Sequence, residues 1–343
     1  MKNMQGEVWV FAEQEEGKLS EVPFELLGKA RELADKLGVK VGAALLGHNV
    51  DHLAPELMKG GADVVHIVDD PKLAVFRTNA YRPAMVALLE EENPQIVIFG
   101  ATHMGRDLAP AVASALRCGL TADCTDLQID NFEDKKTKEV FPNCLQQIRP
   151  AFGGNIIATI VNARNWPQMA TVREGVMKKE IVDPNYKGEV IKHDVAKYVP
   201  ETEYVVKVLE RHVEKAKHNL KGAPIVVAGG YGMGSKENFD MLFELAKELH
   251  AEVGASRAAI DAGFADHDRQ IGQTGVTVRP KVYIACGISG QIQHLAGMQD
   301  SGIIISVNSD PDAPINAIAD YVINGTVEEV IPKMIKYYKK NSK

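Results

Sequence analysis

The sequence predicts an α/β protein of two domains, each a mostly parallel sheet flanked by helices. Three observations lead there. Apolar runs of strand length alternate with helix-patterned segments through the first third of the chain. That alternation lapses in the middle and restarts after Gly222. The chain has 343 residues, more than one core usually organises and suited to two domains of about 100–200 residues.

The elements follow in order. Glu7–Glu13, Val41–Gly47, Asp63–Asp70 and Ile96–Thr102 are continuous apolar runs, as strands buried on both faces of a parallel sheet require. Between and after them, Glu25–Leu37, Tyr81–Glu91 and Leu108–Arg117 carry apolar residues at helical spacing. From Asp123 to Val195 this spacing gives way to Gly, Pro and short β-branched stretches. They predict extra strands, partly antiparallel, that complete a first domain over residues 1–195. Glu201–Leu220 is charged and weakly amphipathic, so residues 196–222 read as a connector. The second domain, 223–326, begins with a strand at Pro224–Gly230, a Gly-rich turn and a helix at Ser235–His250, whose Met and Leu residues within Phe239–Leu249 face the core. A strand at Lys281–Gly287, a short helix at Ser289–Met298 and a strand at Ile303–Asn308 follow. Residues 327–343 form a C-terminal amphipathic helix, with basic residues in its last turns where they suit the helix dipole.

Composition narrows the function classes. Hydrophobic residues make up 45% and charged residues 25%, with a net charge of −7 and no run of Lys or Arg. Nucleic acid, whose phosphates demand a basic face, is not an expected partner. No stretch reaches the length of a membrane span, and the first residues lack a secretory signal pattern, so the expectation is a soluble cytoplasmic protein. Cys118, Cys124, Cys144 and Cys286 stand singly and read as reduced thiols, with Cys286 buried at a strand end rather than redox-active.

Three segments of the second domain could hold a ligand. The turn GGYGMGSKENF follows a strand and opens a helix, a form that presents backbone N–H groups to an anion, yet it is neither a P-loop nor a full GxGxxG. The run ACGISGQIQH (Ala285–His294) repeats that form, with Ser289 between two glycines and His294 one turn on; its plain alternative is a Ser cap and a surface His. Between them, Val253–Phe264 and Arg269–Gly275 set Ser256, Arg257, Gln270, Gln273 and Thr274 among small residues. That combination suits a flat ligand with a polar edge, or an ordinary loop. Together the segments fit a dinucleotide with a redox ring, without choosing FAD over NAD. In the first domain, His66 and His103 have no partners at metal-ligand spacing, so no metal is assigned. GATHMGRD (Gly100–Asp107) reads as a plain turn, the whole domain as a scaffold, and His193, His212 and His218 as solvated.

GASRAAIDAGF, IGQTG, RPKVYIACGISGQIQHLAGM and SVNSDPDAPI, with GRDLAPAVASAL, LTADCTDL, FGGNIIATI and MATVREGVM before them, resemble the electron transfer flavoprotein α family along essentially the whole chain. The resemblance implies a Rossmann-like C-terminal domain that holds FAD. The chain would be a redox carrier subunit rather than a self-sufficient enzyme, paired with a β subunit carrying a second FAD or AMP. Arg257 would lie over the flavin ring, Thr274 near N5 and His294 by the C2 carbonyl, the three tuning the flavin. Ser256, Gln270, Ile271, Gly272 and Gln273 would meet the ring edge or ribityl chain. Ser289, Gly290, Gln291, Ile292, Gln293 and His294 would line the ribityl–diphosphate region, and Asn308 the adenosine side. A guanidinium and an imidazole at the C2 edge would favour the reduced, negatively charged ring. Tyr231 and Thr326 stand where many relatives carry Arg and Asp, which leaves the nucleotide-side contacts open. The stretch TGVTVRPKVYIACG looks closer to the electron-bifurcating type of anaerobes, in which NADH enters through β and an acyl-CoA dehydrogenase-type partner exchanges electrons with the complex. The alternatives are a nicotinamide-dependent dehydrogenase and a non-redox nucleotide-binding protein.

Overall fold

The computed structural model describes residues 6–151, 156–179, 183–204, 206, 208–210 and 218–341. The chain divides into two compact units, Met1–Arg211 and His212–Lys343. Among the described residues, no helix is long and apolar enough to cross a membrane.

The first unit begins with β1 (Val8–Phe11), a two-residue hairpin of β2 (Gln14–Glu15) and β3 (Lys18–Leu19), α1 (Val22–Leu37) and β4 (Val41–Gly47). Next come α2 (Ala54–Lys59), β5 (Val64–Asp69), α3 (Thr78–Glu92), β6 (Ile96–Gly100) and α4 (His103–Leu116). The middle of the chain supplies β7 (Leu120–Cys124), β8 (Asp126–Glu133), β9 (Val140–Ala151), β10 (Ile156–Ile160), β11 (Gln168–Val172) and β12 (Glu189–Lys192). Seven strands pair in the order β12-β5-β4-β1-β6-β11-β7, all parallel. All seven residues of β4 are buried, as a central strand covered on both faces must be. One face packs on α1 through Leu26, Leu27 and Leu33; the other packs on α3 and α4 through Tyr81, Leu88, Leu108 and Val112. The region without helical spacing supplies the antiparallel β10-β9-β8 sheet and sends β7, β11 and β12 back into the main one. Gly100–Asp107 opens a helix: Thr102 caps α4, its Oγ1 accepting from Gly105 N at 2.9 Å, a bond worth about 1 kcal/mol.

The second unit is an open parallel sheet ordered β14-β13-β15-β16-β17. It comprises β13 (Ile225–Gly229), α5 (Lys236–Leu249), β14 (Glu252–Ala255), α6 (Arg257–Asp261), β15 (Val282–Cys286), α7 (Ile292–Leu295), β16 (Ile303–Asn308), β17 (Tyr321–Asn324) and α8 (Val327–Asn341). Chain order runs outward from β13 in both directions, so the sheet has a topological switch between β13 and β15. In such sheets ligands bind beyond the carboxyl ends of the strands at that switch. Phe239, Leu242 and Leu245 of α5 and Ile331 and Ile335 of α8 cover one face with Val227, Ile284 and Val307. Several elements differ from the sequence reading, among them α6, a helical turn inside the segment Val253–Phe264. The helix expected over Ser289–Met298 is only the single turn Ile292–Leu295. β14 escapes notice because it is four residues with an internal Gly, and β17 because its residues are mostly exposed and its apolar run, Tyr321–Ile323, is only three residues long.

Candidate functional site at the strand ends of the second unit

Every strand of the second sheet contributes its carboxyl end to one cavity of about 850 Å³, at the large end of the range for cofactor sites. Tyr231 and Gly232 follow β13; Ser256 and Arg257 follow β14; Gly287–Gln291 follow β15; Asn308–Asp310 follow β16; Thr326–Glu328 follow β17. The loop Gln270–Thr274 closes one wall, and Gln293, His294, Ala313 and Pro314 complete it.

The turns after β13 and β15 approach so closely that side chains are excluded. Gly230 N donates to the Cys286 carbonyl and Gly232 N to the Gly287 carbonyl, each at 2.9 Å. A Cβ on Gly230 would stand 2.1 Å from the Gly287 oxygen. Gly290 adopts φ +87°, and a Cβ there would meet Ile315 N at 2.3 Å. The glycine pattern therefore keeps the mouth open and the backbone close to whatever lies in it. No full-length helix stands behind Ser289, because α7 has four residues. The 15-residue α8 instead starts at the wall with Thr326–Glu328, so its free N–H end faces the cavity region.

Ser256 is the N-cap of α6, its Oγ accepting from Ala259 N at 3.3 Å. That turn projects Arg257 outward: the side chain is 71% exposed and tethered to Asp261 at 3.5 Å. It is the one Lys or Arg among the described lining residues, so it dominates the positive field of the mouth. Ile271 N donates to Ala255 O, Val276 N to Gln270 O and Gln273 N to Gln293 O, which pin the Gln270–Thr274 loop between β14 and α7. Buried Gln270 donates from Nε2 to Thr274 Oγ1 at 3.0 Å. With that oxygen already accepting, the Thr274 hydroxyl keeps its proton to donate to a ligand.

The structure changes the expectation for His294. Its ring is 7% exposed and held between the Tyr283 hydroxyl, 2.9 Å from Nε2, and the Ile271 carbonyl, 3.1 Å from Nδ1. A carbonyl only accepts, so Nδ1 carries the proton and Nε2 accepts from Tyr283. Burial pushes the imidazole down to about 4. His294 is thus a neutral wall residue with both nitrogens engaged, not a cation aimed at a ligand. Asn308 is likewise committed: Nδ2 donates to Ile288 O at 2.9 Å and Oδ1 accepts from Asp310 N at 3.0 Å, tying the β15 and β16 turns together.

Of the residues expected at a site, Ser256, Arg257, Gln270, Ile271, Gly272, Gln273, Thr274, Ser289, Gly290, Gln291, Gln293, His294 and Asn308 line the cavity, while half-buried Ile292 does not. Ser309, Asp310, Pro314 and the start of α8 line it without having been expected there. Tyr231 lies at the rim and stacks on Phe264 with ring planes 13° apart. Cys286 is fully buried, its thiol pushed up to about 12 by burial. Two histidine readings are corrected: His193 is 9% exposed and sits 3.0 Å from His66, and His218 accepts from Arg269. His212 lies outside the described residues.

Residues 8–198 match the electron transfer flavoprotein domain, and residues 219–299 match the electron transfer flavoprotein FAD-binding domain. The chain is 50% identical over 336 residues to an electron transfer flavoprotein subunit alpha of Thermoanaerobacterium thermosaccharolyticum, covering 97% of this chain and 98% of the relative. It is 49% identical over 335 residues to that of Clostridium acetobutylicum, covering 97% and 96%. An acryloyl-CoA reductase electron transfer subunit beta of Anaerotignum propionicum is 42% identical over 364 residues, covering 96% of this chain and 94% of the relative. With both units matched and close to half of its residues shared with alpha subunits along almost its full length, the chain belongs to the electron transfer flavoprotein alpha-subunit family.

Proposed function

We propose that this chain is the FAD-carrying subunit of a heterodimeric electron carrier and exchanges electrons with NADH or dehydrogenases through the flavin in the second unit. The observation that carries this is the single cavity onto which all strand ends of the second sheet open, lined by Arg257 and Thr274 together with Gly232, Gly272, Gly287 and Gly290.

The residues fit FAD. Gly287 and Gly290 line the cavity with bare backbone, held so close to Gly232 and Ile315 that a Cβ would clash. Main-chain donors and the start of α8 suit a diphosphate, and the polar edge of the 270–274 loop suits a flavin ring. When bound, FAD supplies a ring that accepts and releases electrons one or two at a time. Arg257 stabilises negative charge on that ring with a fixed cation. Thr274 donates its hydroxyl proton, oriented by Gln270 Nε2. His294 contributes an uncharged wall whose Nδ1–H and Nε2 are taken by Ile271 and Tyr283, which leaves Arg257 as the one cationic side chain among the described lining residues. The first unit serves as the docking scaffold for the β subunit. The similarity to an acryloyl-CoA reductase electron transfer subunit supports an acyl-CoA dehydrogenase-type partner, and bifurcation from NADH through β belongs to the same reading.

The test is a visible spectrum of the chain co-expressed with its β subunit, followed by anaerobic reduction with NADH. Two FAD per dimer, bleached by NADH, support the bifurcating form. One FAD inert to NADH supports a simple carrier fed by dehydrogenases, and absence of flavin refutes the proposal. Arg257→Ala should lower the potential of the α flavin; an unchanged potential removes the role assigned to Arg257.

A further inference from the structure

The first unit contains a buried cluster that flavin binding does not use. Residue 191 pairs with His66 across the parallel β12–β5 ladder, so residue 193, two positions on, falls on the same face of the sheet. His193 N completes the ladder by donating to Ile67 O at 2.8 Å. The two imidazoles meet there, His66 Nδ1 standing 3.0 Å from His193 Nε2. Both side chains are almost wholly buried, at 1% and 3% exposure. Over them lies the C-terminal end of α3, which places the carboxylates of Glu91 and Glu92 3.7 and 3.8 Å from His193 Nδ1. Among the described residues, one ligand atom from each of His66, His193 and Glu92 lies within 4.8 Å of the other two.

The hydrogen-bond directions leave one imidazole lone pair of the histidine pair facing carboxylates rather than a donor. Glu7 sits 3.0 Å from His66 Nε2 and also accepts from Trp9 Nε1 at 2.7 Å. An ionised Glu7 only accepts, so His66 carries its proton on Nε2 and presents the Nδ1 lone pair to His193. If His193 donates from Nε2, its Nδ1 lone pair faces two carboxylates. If it is doubly protonated, the sheet must bury a cation on a side chain 3% exposed. A dication resolves the conflict, since both imidazole lone pairs and the carboxylate can point at it.

We propose that His66 Nδ1, His193 and the Glu92 carboxylate form a binding site for one divalent transition metal ion of the zinc class, which fastens the end of β12 to β5 and α3. Two nitrogens on a tetrahedral zinc ion lie about 3.3 Å apart, so the 3.0 Å separation needs little adjustment. Imidazole with carboxylate suits zinc, cobalt or nickel rather than calcium or magnesium. Glu7 supplies the outer carboxylate that orients a metal-bound histidine through its other nitrogen. The ligands come from three segments 127 residues apart at the extremes, which is why no spacing motif announces them.

The experiment uses full-length untagged protein, stripped with chelator and titrated with Zn²⁺ against a chromophoric chelator, with Co²⁺ as the spectroscopic probe. The expected result is one equivalent bound, with the visible absorption of tetrahedral cobalt. Affinity should fall roughly 100-fold in His193→Gln and about 10-fold in Glu7→Gln, with flavin content unchanged. Glu92→Gln, altering a side chain 32% exposed, should fold normally and also lose affinity, which covers the case where a buried histidine variant misfolds. Failure of the stripped protein to bind one equivalent, or equal binding by the parent, His193→Gln and Glu92→Gln, overturns the proposal.

Discussion

Lowering the pH below 6.5 should destabilise the second unit through His294, and removing that imidazole should remove the effect. The ring is neutral and buried, its pKa pushed from 6.5 down to about 4 chiefly by burial. In the unfolded chain it binds a proton below pH 6.5, whereas in the folded chain it does so only below about 4. Between those limits the unfolded state holds more protons, so stability is complete above pH 6.5 and falls as pH drops. By linkage the loss is about 1.4 kcal/mol at pH 5.5 and about 3 kcal/mol by pH 4. The comparison is parent against His294→Gln, because other titrating groups of the second unit contribute to both curves. Urea midpoints of the second unit, read by equilibrium proteolysis on flavin-free protein, exclude any contribution from FAD release. The parent should lose about 1.2 kcal/mol more than the variant between pH 7 and 5.5. Equal losses in the two proteins would refute the assignment of His294 as a neutral, fully engaged wall residue.

Other outcomes follow from the same geometry. Tyr283→Phe leaves the buried Nε2 of His294 without its donor and should cost about 1–3 kcal/mol in urea unfolding; no loss would mean that another group replaces the hydroxyl. Gly290→Ala forces a side chain onto a φ of +87° and to within 2.3 Å of Ile315 N, so the flavin-to-protein ratio after gel filtration should fall sharply while the first unit melts normally. Arg173 holds Asp123 through two bonds of 3.2 and 2.7 Å; Arg173→Ala should lower the melting temperature of the first unit and leave flavin content intact. Cys286 should resist iodoacetamide in the native protein at pH 8 and react in urea, as mass spectrometry can read, because its thiol titrates at about 12.

Much of this architecture is legible in the sequence because parallel strands buried on both faces write themselves as apolar runs. β4 coincides with VGAALLG, and β6 and β16 fall inside the expected stretches. Elements that do not bury a full run leave no such mark. β17 is mostly exposed, and β14 is four residues with an internal Gly. The cavity is legible in part for a related reason: glycines and polar side chains cluster after strands, so loops 256–257, 270–274 and 287–294 declare themselves. What a side chain does in its loop is not declared. His294 looks like a ligand-facing imidazole until Tyr283, eleven positions earlier, is seen to occupy it, and Asn308 looks available until Ile288 and Asp310 are seen to hold its amide. The His66–His193 contact depends on β12 joining β5, a pairing across more than a hundred residues that no local pattern encodes.

The central claim is that FAD sits at the strand ends of the second sheet. The most direct test is amide hydrogen exchange on the flavin-loaded and flavin-stripped protein. The account predicts that FAD protects the segments around residues 230–232, 256–258, 270–274, 287–294, 308–314 and 326–328, with little change in the first unit. Protection concentrated elsewhere, or none in these loops on adding FAD, would contradict it.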